Sequence, residues 1–408
     1  MLQRNRPFLK SVVAEPYRLF FPLGILFGII GIGHWLFYAL GWTANFSVYF
    51  HGFLQTHLYL GCFASGFLFT SVPRFSQSHP ATWLEVAAMT VILLALFIFI
   101  SFNFWIAEGF TYIFFLIAIG RFIVVRFRTD MAQKEPTEFV WIPLGILHGI
   151  LGTLIYLGAR LGWVEPWLLE VGKEMSQLGF ILCVVLGVGG FLAPRLMGTQ
   201  KLQIRPVLGN TLEKTQWIRK RRMMIHGLAG FIIFISFWLE GLNFKIAGFL
   251  LRALVITSEL MWTGSLPFPP KVKDIHATPL WISMWMVTIG SWALVFFPDQ
   301  KIAMLHFIFI GGFSLMIFSV STVVILSHAG QSVRLHHKFW VMRFLLFSIL
   351  FSLAFRIAAS YFPERFFPIL AHASAFWLAP ALLWFIFMLP KILTVPNHPE
   401  SNDISCQN

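Results

Sequence analysis

The 408-residue chain is 58% hydrophobic and only 12% charged, with 47 Phe, 16 Trp and a mean hydropathy of +0.77. A soluble domain carries about 25% charged residues, so this balance excludes one. The formal charge of +13 lies between apolar runs and not on a soluble basic domain. That excludes a nucleic-acid partner and points to membrane topology and anionic lipid headgroups.

At roughly 20 residues per crossing, the length accommodates about twelve transmembrane helices, an all-α membrane bundle. In chain order the predicted spans are 19–40, 48–72, 83–101, 103–125, 138–158, 168–194, 223–240, 243–263, 279–297, 302–326, 340–361 and 366–389. Breaks at Pro73, Pro136, Pro166, Pro298 and Pro363 and the Pro267–Pro270 cluster separate them. Residues 1–18 form a basic N-terminal segment, 19–390 the transmembrane domain and 391–408 a C-terminal tail. The run after Arg18 is too long for a signal peptide and reads as a retained first helix. With loops alternating in side, about 23 of the 30 Lys and Arg fall on one face, so both termini are expected to be cytoplasmic. The second and sixth spans both close on Pro-Arg after Gly-Phe-Leu (residues 66–74 and 190–195), a spacing that hints at a four-helix repeat.

Cys62 and Cys183 fall inside spans and Cys406 in the tail, with no CxxC or CxxCH. Thiolate zinc, iron–sulfur clusters and covalently attached haem are thereby disfavoured. Chemistry must come from the polar residues kept in the apolar runs, since each is costly there and faces the bundle interior or water. Neutral histidine, a ligand for haem iron or copper, is the commonest. By depth, His34, His51, His57 and His306 are expected in the outer half, His148 near the middle and His372 in the outer half of the last span. His226 and His328 are expected at the inner side. His306 and His328 lie roughly 33 Å apart along one helix and cannot share a metal. Four residues separate His51 from Gln55, which puts them on one face; His57 points elsewhere. Structural hydrogen bonding is the competing reading for every one of these histidines. His79, His276, His336, His337 and His398 are loop residues with no expected role.

Glu259 is the clearest intramembrane carboxylate, with Glu108, Glu174 and Glu240 nearer the outer ends. Seven residues before Glu259, on nearly the same face, stands Arg252, so an intramembrane salt-bridge network is the plain expectation. Arg252 and Arg356 are also candidates to meet the carboxylates of a bound cofactor, such as haem propionates. Glycine and small residues crowd spans one, two, six and ten, marking them as the close-packed inner ring.

Glu15-Pro16-Tyr17-Arg18-Leu19-Phe20-Phe21 resembles the P-[FY]-R-x-F-F approach to the first helix of the NnrS family. His51, followed fifteen residues later by Gly66-Phe67-Leu68, resembles that family's second-helix segment. The run from His306 to His328, with Gly311 and Gly312 inside it, is similar to its tenth-helix segment. The chain departs from the family pattern at Phe53 and Leu54, Val323, Ser327 and Gln331. The resemblance implies a multi-pass bacterial inner-membrane protein with haem b, and copper as a further metal, acting in nitric oxide response or nitrosative-stress protection. A topological analogy adds to it: twelve-helix haem–copper oxidases also hold a low-spin haem on histidines of spans two and ten. His51 and His306 are accordingly the expected axial pair, with Arg252 and Arg356 beside the cofactor. His328, His226, His57 and His34 are the further candidate metal ligands. Binding of a small molecule such as nitric oxide is favoured over turnover, which would need a second metal with more convergent ligands. The alternatives are a transporter of a metal, haem or small solute, which mid-depth helix interruptions would support, and a structural subunit.

Overall fold

The computed structural model of the chain describes residues 8–128, 135–200, 212–331 and 340–394, side chains 212–215 excepted. Arg4, Arg6, Lys134, Lys201, Arg205, Arg334, Lys338, His336, His337, His398 and Cys406 lie outside these residues, as does the tail beyond Thr394.

Among the described residues the fold is all-helical, without a strand. A short helix α1 (Phe8–Ala14) precedes α2 (Tyr17–Ala39), α3 (residues 48–76), α4 (Trp83–Ser101) and α5 (Trp105–Phe127). There follow α6 (Thr137–Arg160), α7 (Leu168–Leu196), α8 (Gln216–Gly241) and α9 (Lys245–Trp262). The last four are α10 (Ala277–Phe296), α11 (Pro298–His328), α12 (Trp340–Ala359) and α13 (Pro363–Leu393). Ten of these helices are long and apolar enough to cross a membrane. The two other long ones, α3 and α9, carry polar residues inside their apolar runs: His51, Gln55 and His57 in one, Lys245, Arg252 and Glu259 in the other.

Local chemistry sets the boundaries. Thr82 and Glu85 form a reciprocal capping box at the start of α4, and the Ser47 side chain accepts the Phe50 amide at the start of α3. Pro73 does not end α3 as its sequence position suggests. The helix runs on to Ser76 and stops at Gln77, whose φ of 53° is left-handed. The proline leaves the Phe69 carbonyl without its i→i−4 amide donor, yet the chain keeps helical geometry for three more residues. The first long helix also begins earlier than expected, at Tyr17. Arg18 is buried there, its guanidinium bonded to Glu15 and to the carbonyls of Ile392 and Thr394, which ties the two ends of the bundle together.

Packing follows chain order and closes a ring: α2 on α3, α4 on α5, α5 on α6, α6 on α7, α8 on α9, α9 on α10, α12 on α13, and α13 back on α2. The interior belongs to α3, α7 and α11. Residues 56–73 of α3 are all buried, and 72% of the apolar window is buried in α7 and α11, against 28% in α4. Of the four spans expected in the inner ring, α2 alone is only half covered. Each inner helix is interrupted by π-helical turns: Leu54–Tyr59 in α3, Met175–Gly179 and Val185–Gly189 in α7, and Phe307–Ser314 in α11. They stand four helices apart, extending the four-helix echo of the second and sixth spans to the tenth. Such turns are rare and gather at functional sites. The outer helices carry bare apolar side chains, among them Leu84, Val91, Phe114 and Ile386, as a lipid-facing surface requires.

Candidate functional site

The glycine stripe of α2 lets α3 approach closely. A Cβ on Gly31 would sit 2.3 Å from the Gln55 amide nitrogen, so only glycine leaves room there. The space admits two side chains that read the carbonyls of α2: Gln55 Nε2 donates to Gly28 O at 3.2 Å, and His51 Nδ1 meets Gly31 O at 2.9 Å. His51 and Gln55 thus share the face that their spacing predicts. Gly31 O also receives His34 Nδ1 at 2.9 Å, and the His34 and His51 rings lie 6.0 Å apart. His306 of α11 is held in the same way, Nδ1 on Ile302 O at 2.5 Å. Arg356 of α12 lies within electrostatic reach of His51 and His306, and donates to Ser360 Oγ at 3.0 Å.

A carbonyl can only accept, so each of these imidazoles carries its proton on Nδ1 and leaves the Nε2 lone pair available. His34 Nε2 is buried with no partner among the described residues. No bond is made by Nε2 of His51 or His306 either, and both rings are half-buried and not sealed in. Neutral imidazoles oriented through Nδ1, with a cation at hand, are the donor set a bis-histidine haem takes. The residues fit that group. No cluster of three or more His, Cys, Asp or Glu suited to a metal ion occurs among the described residues.

The remaining candidates are bound to acids. His57 Nδ1 meets Glu108 at 2.6 Å and Nε2 meets Ser176 Oγ at 3.1 Å, with Tyr112 stacked on the ring at 3.5 Å and Thr153 extending the chain from Ser176 at 2.9 Å. Both nitrogens are occupied, and His57 is not part of the His34–His51 cluster. His328 also has both nitrogens engaged, Nδ1 by Glu15 and Nε2 by Arg74, each at 2.7 Å. His226 Nδ1 meets Glu259 at 3.0 Å under a stacked Trp262, while its Nε2 is buried without a partner. The two histidines expected together at the inner side, His226 and His328, therefore sit in separate ion-pair clusters. Near the middle, His148 Nδ1 bonds Leu144 O, and His372 Nδ1 bonds Pro368 O on an exposed face. His276 is no solvated loop residue: it is buried against Leu196 O, and burial lowers its pKa.

Arg252 does lie in an intramembrane salt-bridge network, but Glu259 is not its partner there: Arg252 donates to Glu240 at 3.0 Å and to Ser236, over the face of Phe237. Glu240 and Glu174 share Lys301. Committed to that network, Arg252 is engaged away from the His51–His306 cluster and only Arg356 remains beside it. Sequence reasoning passed over Glu15, Ser176 and Tyr112, and nothing in their local sequence sets them apart.

An all-helical bundle with many lipid-facing apolar helices and buried, oriented histidines is a multi-pass membrane protein. The family model described as "NnrS protein" matches residues 11–395, nearly the whole chain, and the chain belongs to the NnrS family. No curated protein matches it.

Proposed function

We propose that this protein is a haem-binding member of the bacterial inner membrane that acts in nitric oxide response or nitrosative-stress protection. It spans that membrane twelve times with both termini cytoplasmic, so α3 and α9 cross it with the ten more apolar helices. One observation carries the haem reading: His51 and His306, on neighbouring inner helices, each fix Nδ1 on a backbone carbonyl and leave Nε2 without a partner. His51 and His306 would hold the iron through Nε2, and the Arg356 guanidinium would offset the charge of the cofactor's carboxylates. When bound, the haem would supply a redox-active iron able to take up and give back one electron. Ile302 O and Gly31 O keep the imidazoles in the Nε2-basic tautomer, and Gln55 locks α3 against α2 so that the His51 ring stays oriented. Copper is a second, weaker proposal, resting on the family resemblance and on His34 beside His51.

The test is an optical spectrum and metal analysis of the detergent-purified protein. Wild type is expected to show a Soret band and stoichiometric iron, and His51→Ala and His306→Ala are expected to lose both. Full haem occupancy in either variant would falsify the axial assignment. The π-helical interruptions of α3, α7 and α11 favour a second reading, a transporter, because interrupted helices at mid-depth are what solute sites use. Iron-free protein that takes up solute in proteoliposomes selects that alternative.

A further inference from the structure

The three interrupted helices line an apolar pocket that is open on one side. Between α3, α7 and α11 it offers a volume of about 90 Å³. Its wall is one face of each helix: Ala64 and Phe67, Val185 and Val188, Met316 and Val320. On α7 that face runs from Ile181 to Leu192, about 16 Å of helix. Ser321 is the polar side chain in the wall, and its hydroxyl is already given to Ile317 O at 2.5 Å. A water needs two to four polar partners to stay in an apolar space, and this wall offers only the lone pairs of one hydroxyl. Apolar cavities take up apolar solutes; an enclosed one of about 150 Å³ holds benzene or xenon. At about 90 Å³ the room suits something nearer a diatomic molecule, since a water occupies roughly 30 Å³.

The void is not a by-product of glycines needed for packing. Most inner-ring glycines are filled up to the backbone: a Cβ on Gly66 would meet Phe21 at 2.8 Å, and one on Gly187 would meet Trp141 at 2.9 Å. At Gly189, on the cavity wall, a Cβ would find nothing closer than Met316 Sδ at 3.6 Å, ordinary contact. Space that a methyl group would fill without strain is left open there. About 10 Å of α11 separates Phe313, at the upper end of the cavity, from His306. At the upper end of the cavity Tyr59 and Trp377 bond Ser314 Oγ at 3.5 and 3.3 Å.

We propose that this cavity is a docking site for a small, uncharged, apolar molecule of diatomic size, poised beneath the His51–His306 layer. That the molecule is nitric oxide rests on the function proposed above; that the site takes an apolar gas does not. The probe is xenon, applied under pressure to crystals of the detergent-purified protein. Wild type is expected to show an anomalous peak between Ala64, Val188 and Met316. Ala64→Leu and Val188→Phe, which extend side chains into the space, are expected to lose it, while Ala88→Leu, on the exposed face of α4, retains it. Two filling variants are used so that one misfolded protein does not decide the matter. Absence of the peak in wild type overturns the proposal. So does a peak that survives both filling variants, or density for a lipid or detergent chain in its place. Xenon uptake by a protein that proves to contain no haem supports the cavity and removes the haem reading alone.

Discussion

Two sets of histidines share this bundle and differ in what holds their Nδ1. In the first set, His34, His51 and His306 rest on backbone carbonyls. In the second, His57, His226 and His328 rest on the carboxylates of Glu108, Glu259 and Glu15. A carbonyl orients the ring and leaves its charge undetermined by any partner. A buried carboxylate makes the imidazole one half of a hydrogen-bonded pair, and loss of either half strands the other in a low-dielectric interior. The first set is therefore free to take a ligand, and the second is committed to the fold.

The sharpest way to break that division is to remove an acid. Glu108→Ala should cost roughly 3 kcal/mol, because His57 loses a fully buried partner; His34→Ala should cost less, since a carbonyl left behind keeps its helical bond. Chemical denaturation in detergent gives the ranking, and equal losses would erase the distinction. Arg252→Ala should cost roughly 2 kcal/mol in the same assay, Lys301 remaining to face Glu240. On the ligand side, Arg356→Gln should retain haem yet lower its midpoint potential by roughly 60 mV, a tenfold shift in a one-electron equilibrium. The sign follows because a neighbouring cation favours the reduced, more negative state. Potentiometric titration reads it, and an unchanged potential removes Arg356 from the haem edge.

A smaller effect concerns pH. Burial alone would raise the Glu15 carboxyl, but the His328 hydrogen bond and the charges of His328 and Arg18 bring its pKa below the usual value. A depressed folded-state value means the tether contributes fully above the ordinary carboxylate value of 4.5 and is lost as pH falls through the lower folded value. Wild-type stability should therefore drop more steeply on acidification than that of Glu15→Gln, measured as thermal midpoint against pH. Parallel curves would dissociate Glu15 from the acid limb. The smallest change is His372→Phe, on an exposed helix face, expected within about 0.5 kcal/mol of wild type and spectrally silent.

The helices themselves were legible, because a run of twenty apolar residues can satisfy its backbone in lipid only as a helix. The joint orientation of His51 and Gln55 was legible too, from their four-residue spacing. Partner choice was not. Arg252 and Glu259 share a face of α9, yet Glu240 on α8 captures the arginine and His226 captures Glu259, since neighbouring helices offer better geometry than a partner two turns away. Nor does hydropathy register a π turn. It inserts one residue without altering the apolar composition, so the interruptions in α3, α7 and α11 leave no mark in the sequence.

Those insertions give each inner helix two reading frames. A π turn rotates everything downstream by about one residue's worth of arc relative to an unbroken helix. In α3 the frame that aims His51 at α2 ends within Leu54–Tyr59, and a second frame then presents Ala64 and Phe67 to the interior. The same division falls in α11 between His306 and Met316. One stretch of chain can thus address the histidine layer and the space beneath it separately, and a side chain altered in one frame leaves the aim of the other unchanged.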